Sequence, residues 1–157
     1  MKRICLTIAG AIALAAPLSA QQLPAPYGAP ITLDQAKTIV AAAERTARSR
    51  NFTMAFAIVE PSGELVLFQK MDGTQYGSEL VAREKARTAA RFKRSTKAFS
   101  DSVAGGRNAV LSLPGVVAIE GGSPIVINGR IVGAIGVSGG TSEQDGEVAA
   151  TALLELK

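Results

Sequence analysis

The stretch 121-GGSPIVINGRIVGAIGVSGGTSEQDGEV-148 decides the fold class. Two apolar runs, Pro124–Ile127 and Ile131–Val137, flank Asn128-Gly129. That dipeptide suits the two positive-φ positions of a type I′ turn, so the spacing predicts a β-hairpin. The second run ends in Ser138-Gly139-Gly140, and Thr141 then opens a helix-start signature. Gln144 stands three residues on, as in a capping box, and Glu143 and Asp145 put negative charge in the first turn. The glycines allow a sharp turn and turn unpaired amides outward. Ser138, Gly139, Gly140 and Thr141 are therefore expected to form a subsite for a carboxylate or phosphate. The alternative is a tight strand-to-helix connection that binds nothing.

Gly136-Val137-Ser138-Gly139-Gly140 also matches the G-x-S-x-G nucleophile elbow. The sequence holds no histidine, however, so Ser138 has no imidazole to take its proton and a Ser-His-Asp triad is excluded. Lys70 or Lys85 is conceivable as a base, but no spacing points to either. The match is accidental.

Upstream, Thr32-Leu33-Asp34-Gln35 is a second capping-box pattern. It opens a helix to about Arg50, with Leu33, Ala36, Ile39, Val40 and Ala43 on one face. In the β-rich run Phe52–Glu60, Met54, Phe56 and Ile58 alternate with Ala55, Ala57 and Val59, so both faces are expected to be covered. Pro61-Ser62-Gly63-Glu64 is a turn, Leu65–Met71 the returning strand, and Asp72-Gly73 its break. Ser78 to about Phe92 reads as a helix. Its stripe of Ala82, Ala86, Ala89 and Ala90 permits close approach to a sheet or another helix. Its other side carries Arg83, Glu84, Lys85, Arg87 and Arg91, followed by Lys93, Arg94 and Lys97. Such a basic face is ordinarily a solvated helix surface, and as a group it suits anionic ligands or an acidic partner. A short helix over Ser95–Val103, a break at Ala104-Gly105-Gly106 and a strand over Val116–Ile119 complete the reading. Five strands with flanking helices, in this order, give an α+β fold.

The first 20 residues are expected to lie outside that fold. Lys2 and Arg3, an apolar run from Ile4 to Ala16, and Leu18-Ser19-Ala20 make a secretory signal peptide cut before Gln21. The run is short of the ~20 residues a membrane span needs, so no stable span is expected after processing. The lone cysteine, Cys5, leaves with it. Residues 21–30, rich in proline, read as an extended leader tethering a domain at 31–157. The whole chain has 17 Lys+Arg against 13 Asp+Glu, and losing Lys2 and Arg3 moves it towards balance. No general affinity for nucleic acid follows from that. Without His or Cys, ordinary zinc and copper sites and iron–sulfur clusters are excluded. No Walker loop or dinucleotide fingerprint is present.

The 121–148 stretch resembles the C-terminal signature of the GlcG/HbpS family, which includes haem-binding extracellular proteins and the C-terminal domain of PduO-type proteins. AIVEPSGELVLFQKMDG (57–73), EKARTAA (84–90) and the helix from Thr32 agree with it, in the family's order. The resemblance implies a profilin-like, GlcG-like antiparallel five-stranded sheet flanked by helices. It further implies a homo-oligomer, which the alanine stripe would suit, and a periplasmic or secreted protein that binds haem or a related tetrapyrrole. In that reading Lys85, Arg87 and Arg91 would face the propionates. With His and Cys absent, the iron candidates are Met54, Met71, Tyr27 and Tyr76. Met54 is interleaved with core residues and Tyr27 lies in the leader. Met71 and Tyr76, on either side of Asp72-Gly73, are the better pair. A binder or accessory subunit for a small organic acid, using the Gly139–Thr141 amides and the basic helix, is the first alternative. A haem-degrading enzyme is the second. Binding is favoured over catalysis, because no poised nucleophile or acid–base pair can be named.

Overall fold

A computed structural model describes residues 23–156. The signal-peptide expectation, with Cys5, lies outside those residues. The elements are α1 (Leu33–Ser49), β1 (Ala55–Val59), β2 (Leu65–Lys70), α2 (Gly77–Phe92), α3 (Thr96–Ala104), a 3₁₀ turn (Asn108–Ser112), β3 (Gly122–Ile127), β4 (Arg130–Ser138), α4 (Ser142–Ala152) and a final 3₁₀ turn (Leu153–Leu156). The strands form one antiparallel sheet in the order β2-β1-β4-β3. The architecture is α+β, with four strands rather than the expected five.

The missing strand is Val116–Ile119. Its backbone is drawn to a helix side chain instead of a ladder: Val117 N donates to Thr88 Oγ1 at 3.0 Å, and the Thr88 hydroxyl donates to Gly115 O at 3.1 Å. Gly115, at φ +73, turns the chain across α2 just before the apolar run, so β propensity yields to tertiary context.

Where the expected patterns were local, they formed. Asn128 and Gly129 have φ of 50 and 71, the two positive values of a type I′ hairpin. Thr32 and Thr141 cap α1 and α4 in full capping boxes with Gln35 and Gln144.

The sheet is covered on both faces. On one, Met54, Phe56, Ile58, Ile125, Ile135 and Val137 pack with α1 (Ala36, Ile39, Val40, Ala43, Ala47) and α4 (Val148, Ala149, Ala152). Each large side chain buried there contributes about 1.5–3 kcal/mol. On the other, Ala55, Ala57, Val59 and Ala134 meet Ala82, Ala86, Ala89 and Ala90 of α2. The alanine stripe thus serves close packing within the chain and is not left free for a second copy. Gly136 completes the fit: a Cβ there would collide with the Ala82 carbonyl oxygen and come 2.6 Å from Ala86 N.

The leader does more than tether. Beyond Val59, where β1 ends opposite Ala134, the start of β4 is paired by residues 26–31. Ile131 N donates to Pro26 O (2.9 Å), Gly28 N to Ile131 O (2.8 Å) and Ile31 N to Val132 O (2.8 Å). The Tyr27 hydroxyl donates to Ala90 O at 2.9 Å, and Lys93 Nζ sits 4.1 Å from the centre of its ring.

Candidate functional site

The pairing register gathers distant segments at one end of the sheet. Ala55 opens β1 opposite Lys70 and Ser138, the last residues of β2 and β4. The residues before Ala55 and after Lys70 and Ser138 therefore meet there. The N-termini of α2 and α4 meet there too, because Gly77 and Ser142 follow those strands after short loops. Met71 N donates to Met54 O at 3.0 Å. A Cβ on Gly139 would collide with Thr53 O and stand 2.8 Å from Met54 Cα, whereas one on Gly73 would lie 3.8 Å from Thr53 Cγ2.

At this end Arg48, Asn51, Phe52, Thr53 and Met71 line an open hollow of about 320 Å³. Asn51, at φ 57, turns the chain off the end of α1 and forms one wall. Met71 is buried at 8 % exposure, whereas Tyr76 is 90 % exposed and Leu80, one turn along α2, is 65 % exposed. Lys70 Nζ lies 5.1 Å from the centre of the Tyr76 ring, and among the described residues it has no acidic partner. Arg48 is held by Glu44 at 2.9 and 2.6 Å. Glu44 also accepts from Gln69, and these hydrogen bonds, that from Arg48 first, hold its carboxyl below the usual glutamate range.

Met71 and Tyr76 thus flank one loop, as the sequence placed them, with Met71 on the hollow's wall. The three cations do not join them. Lys85 is 1 % exposed, its ammonium 2.7 Å from Asp145 Oδ2 and 3.1 Å from Val137 O, so its charge does not face solvent. Arg87 and Arg91 sit about 15 and 20 Å along α2 from its start, at the far end of the β1–β2 hairpin. There Arg87 Nε donates to Gly63 O (3.1 Å) and Arg91 Nε to Ser62 O (2.9 Å), with Glu84 and Glu64 as ion partners. Those arginines pin the β1–β2 turn.

The glycine turn receives a carboxylate, but it is the chain's own. Gly140 N donates to Asp145 Oδ1 at 3.0 Å and Thr141 N to Gln144 Oε1 at 2.9 Å. Burial pushes the Asp145 carboxyl up, against the downward pull of Lys85 and of the Gly140 and Gly139 amides. Ser138 donates to Ser78 Oγ at 3.2 Å and is buried, so the nucleophile-elbow match has no exposed hydroxyl.

Met71 apart, the hollow's lining was not assigned a binding role by sequence, nor were Lys70 and Asp145, and Lys85 was assigned to the wrong face. Lys85 carried a signal, since it lies three residues after Ala82 and four before Ala89, on the apolar stripe itself. The hollow carried none, because its walls come from two separated segments.

The family profile described as "Haem degrading protein HbpS-like" matches residues 31–154. Protein GlcG of Escherichia coli strain K12 is 37 % identical over 108 residues, 69 % of this chain and 81 % of that protein. Among solved structures, a PduOC:haem complex superposes with a TM-score of 0.74 at 27 % identity, covering 82 % of this chain and 96 % of that one. A double mutant of Streptomyces reticuli HbpS superposes with a TM-score of 0.76 at 26 % identity, covering 91 % and 98 %. Among the described residues no helix is long and apolar enough to cross a membrane. Matched from the leader's end to the last turn, and sharing more than a third of its residues with GlcG over the aligned region, the chain belongs to the HbpS-like family.

Proposed function

We propose that this protein binds haem or a related tetrapyrrole at the end of the sheet that carries the hollow. The observation that carries the reading is the exposed Tyr76 ring, five residues after Met71 of the hollow's wall, with exposed Leu80 one turn along α2 and the Lys70 ammonium 5.1 Å from the ring centre. A relative of the same fold has been solved as a haem complex, which supports the choice of guest.

The donor set fits such a group without histidine. The Met71 thioether and the Tyr76 phenol are the iron-binding chemistries at this end. The Tyr76 ring and Leu80 offer apolar surface for a flat macrocycle, and Lys70 offers charge for a propionate. Arg87 and Arg91 drop out of that role, as does the small-acid alternative that relied on the Gly139–Thr141 amides, because these groups are already engaged within the chain. Bound iron would supply any redox chemistry. The chain's own contribution is holding, since Lys85 and Ser138 are committed to Asp145 and Ser78, and Glu44, beside the hollow, is engaged by Arg48 and Gln69.

Export to the periplasm or beyond the cell belongs to the same proposal, on the strength of the signal pattern in residues 1–20. So does self-association, on the strength of the family resemblance.

Titration with haemin tests the reading. The Soret band is expected to shift and saturate at micromolar haem, with Lys70→Ala and Tyr76→Ala each weakening binding about tenfold, equivalent to about 1.4 kcal/mol. A Soret band that neither shifts nor saturates overturns it.

A further inference from the structure

Lys85 and Asp145 form an ion pair at 1 % and 3 % exposure, and the two carboxylate oxygens serve different elements. Oδ2 takes the ammonium of α2 at 2.7 Å, while Oδ1 takes the Gly140 amide of the turn after β4 at 3.0 Å. Lys85 also donates to Val137 O at 3.1 Å, so the pair spans α2, the end of β4, the glycine turn and α4. The chain leaves room for it: a Cβ on Gly121 would lie 2.8 Å from both Lys85 Nζ and Asp145 Cβ.

We infer that Asp145, neutralised by Lys85, is a positioning residue for the hollow, fixing the Gly139–Gly140 turn against the segment that seats Thr53 and Met71. The route is continuous. Gly139 abuts Thr53 O and Met54 Cα, and a Cβ on Gly140 would lie 3.0 Å from Met54 Cε. Met54 O in turn holds Met71 N at 3.0 Å, and Thr53 and Met71 line the hollow. A buried ion pair is a poor way merely to glue helices, since apolar side chains of similar volume do that as well or better. Apolar side chains cannot accept the turn's amide. An asparagine cannot serve both partners either. If its oxygen faces Gly140 N, its NH₂ faces the ammonium, and flipping the amide sets NH₂ against the Gly140 N–H.

The functional consequence rests on the haem reading above; the positioning itself does not. Hydrogen exchange at Gly140 and the ¹³C-methyl resonance of Met71 would be measured in the full chain carrying Asp145→Asn. Gly140 exchange is expected to quicken about tenfold, as for loss of a charge-assisted hydrogen bond. The Met71 methyl is expected to shift, while the amides of Phe56 and Ile58 keep their protection. Wild-type behaviour at both Gly140 and Met71 overturns the inference. Equal loss of protection at Gly140, Phe56 and Ile58 also overturns it, because the pair is then a general stabiliser. If Asp145→Asn does not fold, Asp145→Glu keeps the charge on a longer arm. It is expected to shift the Met71 methyl, and an unmoved methyl overturns the inference. Haemin titration of the same variants separates the two ideas. If wild type fails to bind haemin, the haem reading falls, while the Gly140 and Met71 measurements still decide the positioning role.

Discussion

At Lys85 the helical period and the charge of the side chain pull in opposite directions. Period puts it on the alanine stripe facing the sheet, and charge argues for water. Period wins because Asp145, sixty residues on, supplies a counter-charge inside the protein. A helix read alone cannot reveal such a partner. Removing one member of the pair leaves the other charge buried and uncompensated, so Lys85→Met is expected to cost about 3–5 kcal/mol. The double variant Lys85→Met/Asp145→Leu should recover part of that in urea unfolding, the remainder being the Gly140 amide left without its acceptor. A double-variant loss equal to the sum of the two single losses would mean the charges are not coupled. Glu44 makes a second, pH-dependent case. Its folded pKa lies below its unfolded value, so its contribution is complete above the ordinary glutamate range and is lost as pH falls through the folded value. The stability gap between wild type and Glu44→Gln should therefore narrow on acidification, and a gap that widens contradicts the assignment. Met71 and Tyr76 were legible as neighbours in one loop, because they flank a glycine break before a helix. Asn51 and Thr53 were not, since only folding brings them beside Met71.

Among the elements, those fixed by short-range chemistry were readable from sequence. Asn128-Gly129 dictated the hairpin, and the two Thr-x-x-Gln boxes placed the starts of α1 and α4. Val116–Ile119 misled because its apolar residues satisfy any strand template, while the choice of Thr88 as hydrogen-bond partner lies on another element. The approach of α2 to β4 sits between these cases. The alanine stripe announced a close neighbour, and only the structure identifies it as a glycine of the central sheet. Because backbone atoms of Ala82 and Ala86 occupy the space a Cβ would need at Gly136, Gly136→Ala cannot be absorbed by a rotamer change. A loss of about 1–3 kcal/mol or more is expected. Unchanged unfolding would show that α2 does not stand against Gly136.

On the scale of the whole molecule, the sheet is sandwiched between α1 and α4 on one face and α2 on the other, and the leader closes what this sandwich leaves open. β1 ends at Val59, four residues short of the start of β4, so residues 130–133 would lack neighbours on that side. Residues 26–31 fill the gap with backbone hydrogen bonds, and Tyr27 reaches over to α2. Composition alone made this segment look like a spacer, because proline and glycine signal extension without saying whether anything lies alongside. The tyrosine separates the two descriptions. Its hydroxyl donates to Ala90 O and its ring carries Lys93, so Tyr27→Phe should lose about 0.5–1.5 kcal/mol for the hydrogen bond. Tyr27→Ala should lose a further ~0.5–1 kcal/mol for the cation–ring contact. If the leader were only a tether, neither change would move the urea midpoint, and amide exchange at Gly28 and Ile131 would be fast in the wild type. Protection of those two amides, graded losses in the two variants, and faster exchange at Ile131 in Tyr27→Ala together identify the leader as part of the sheet.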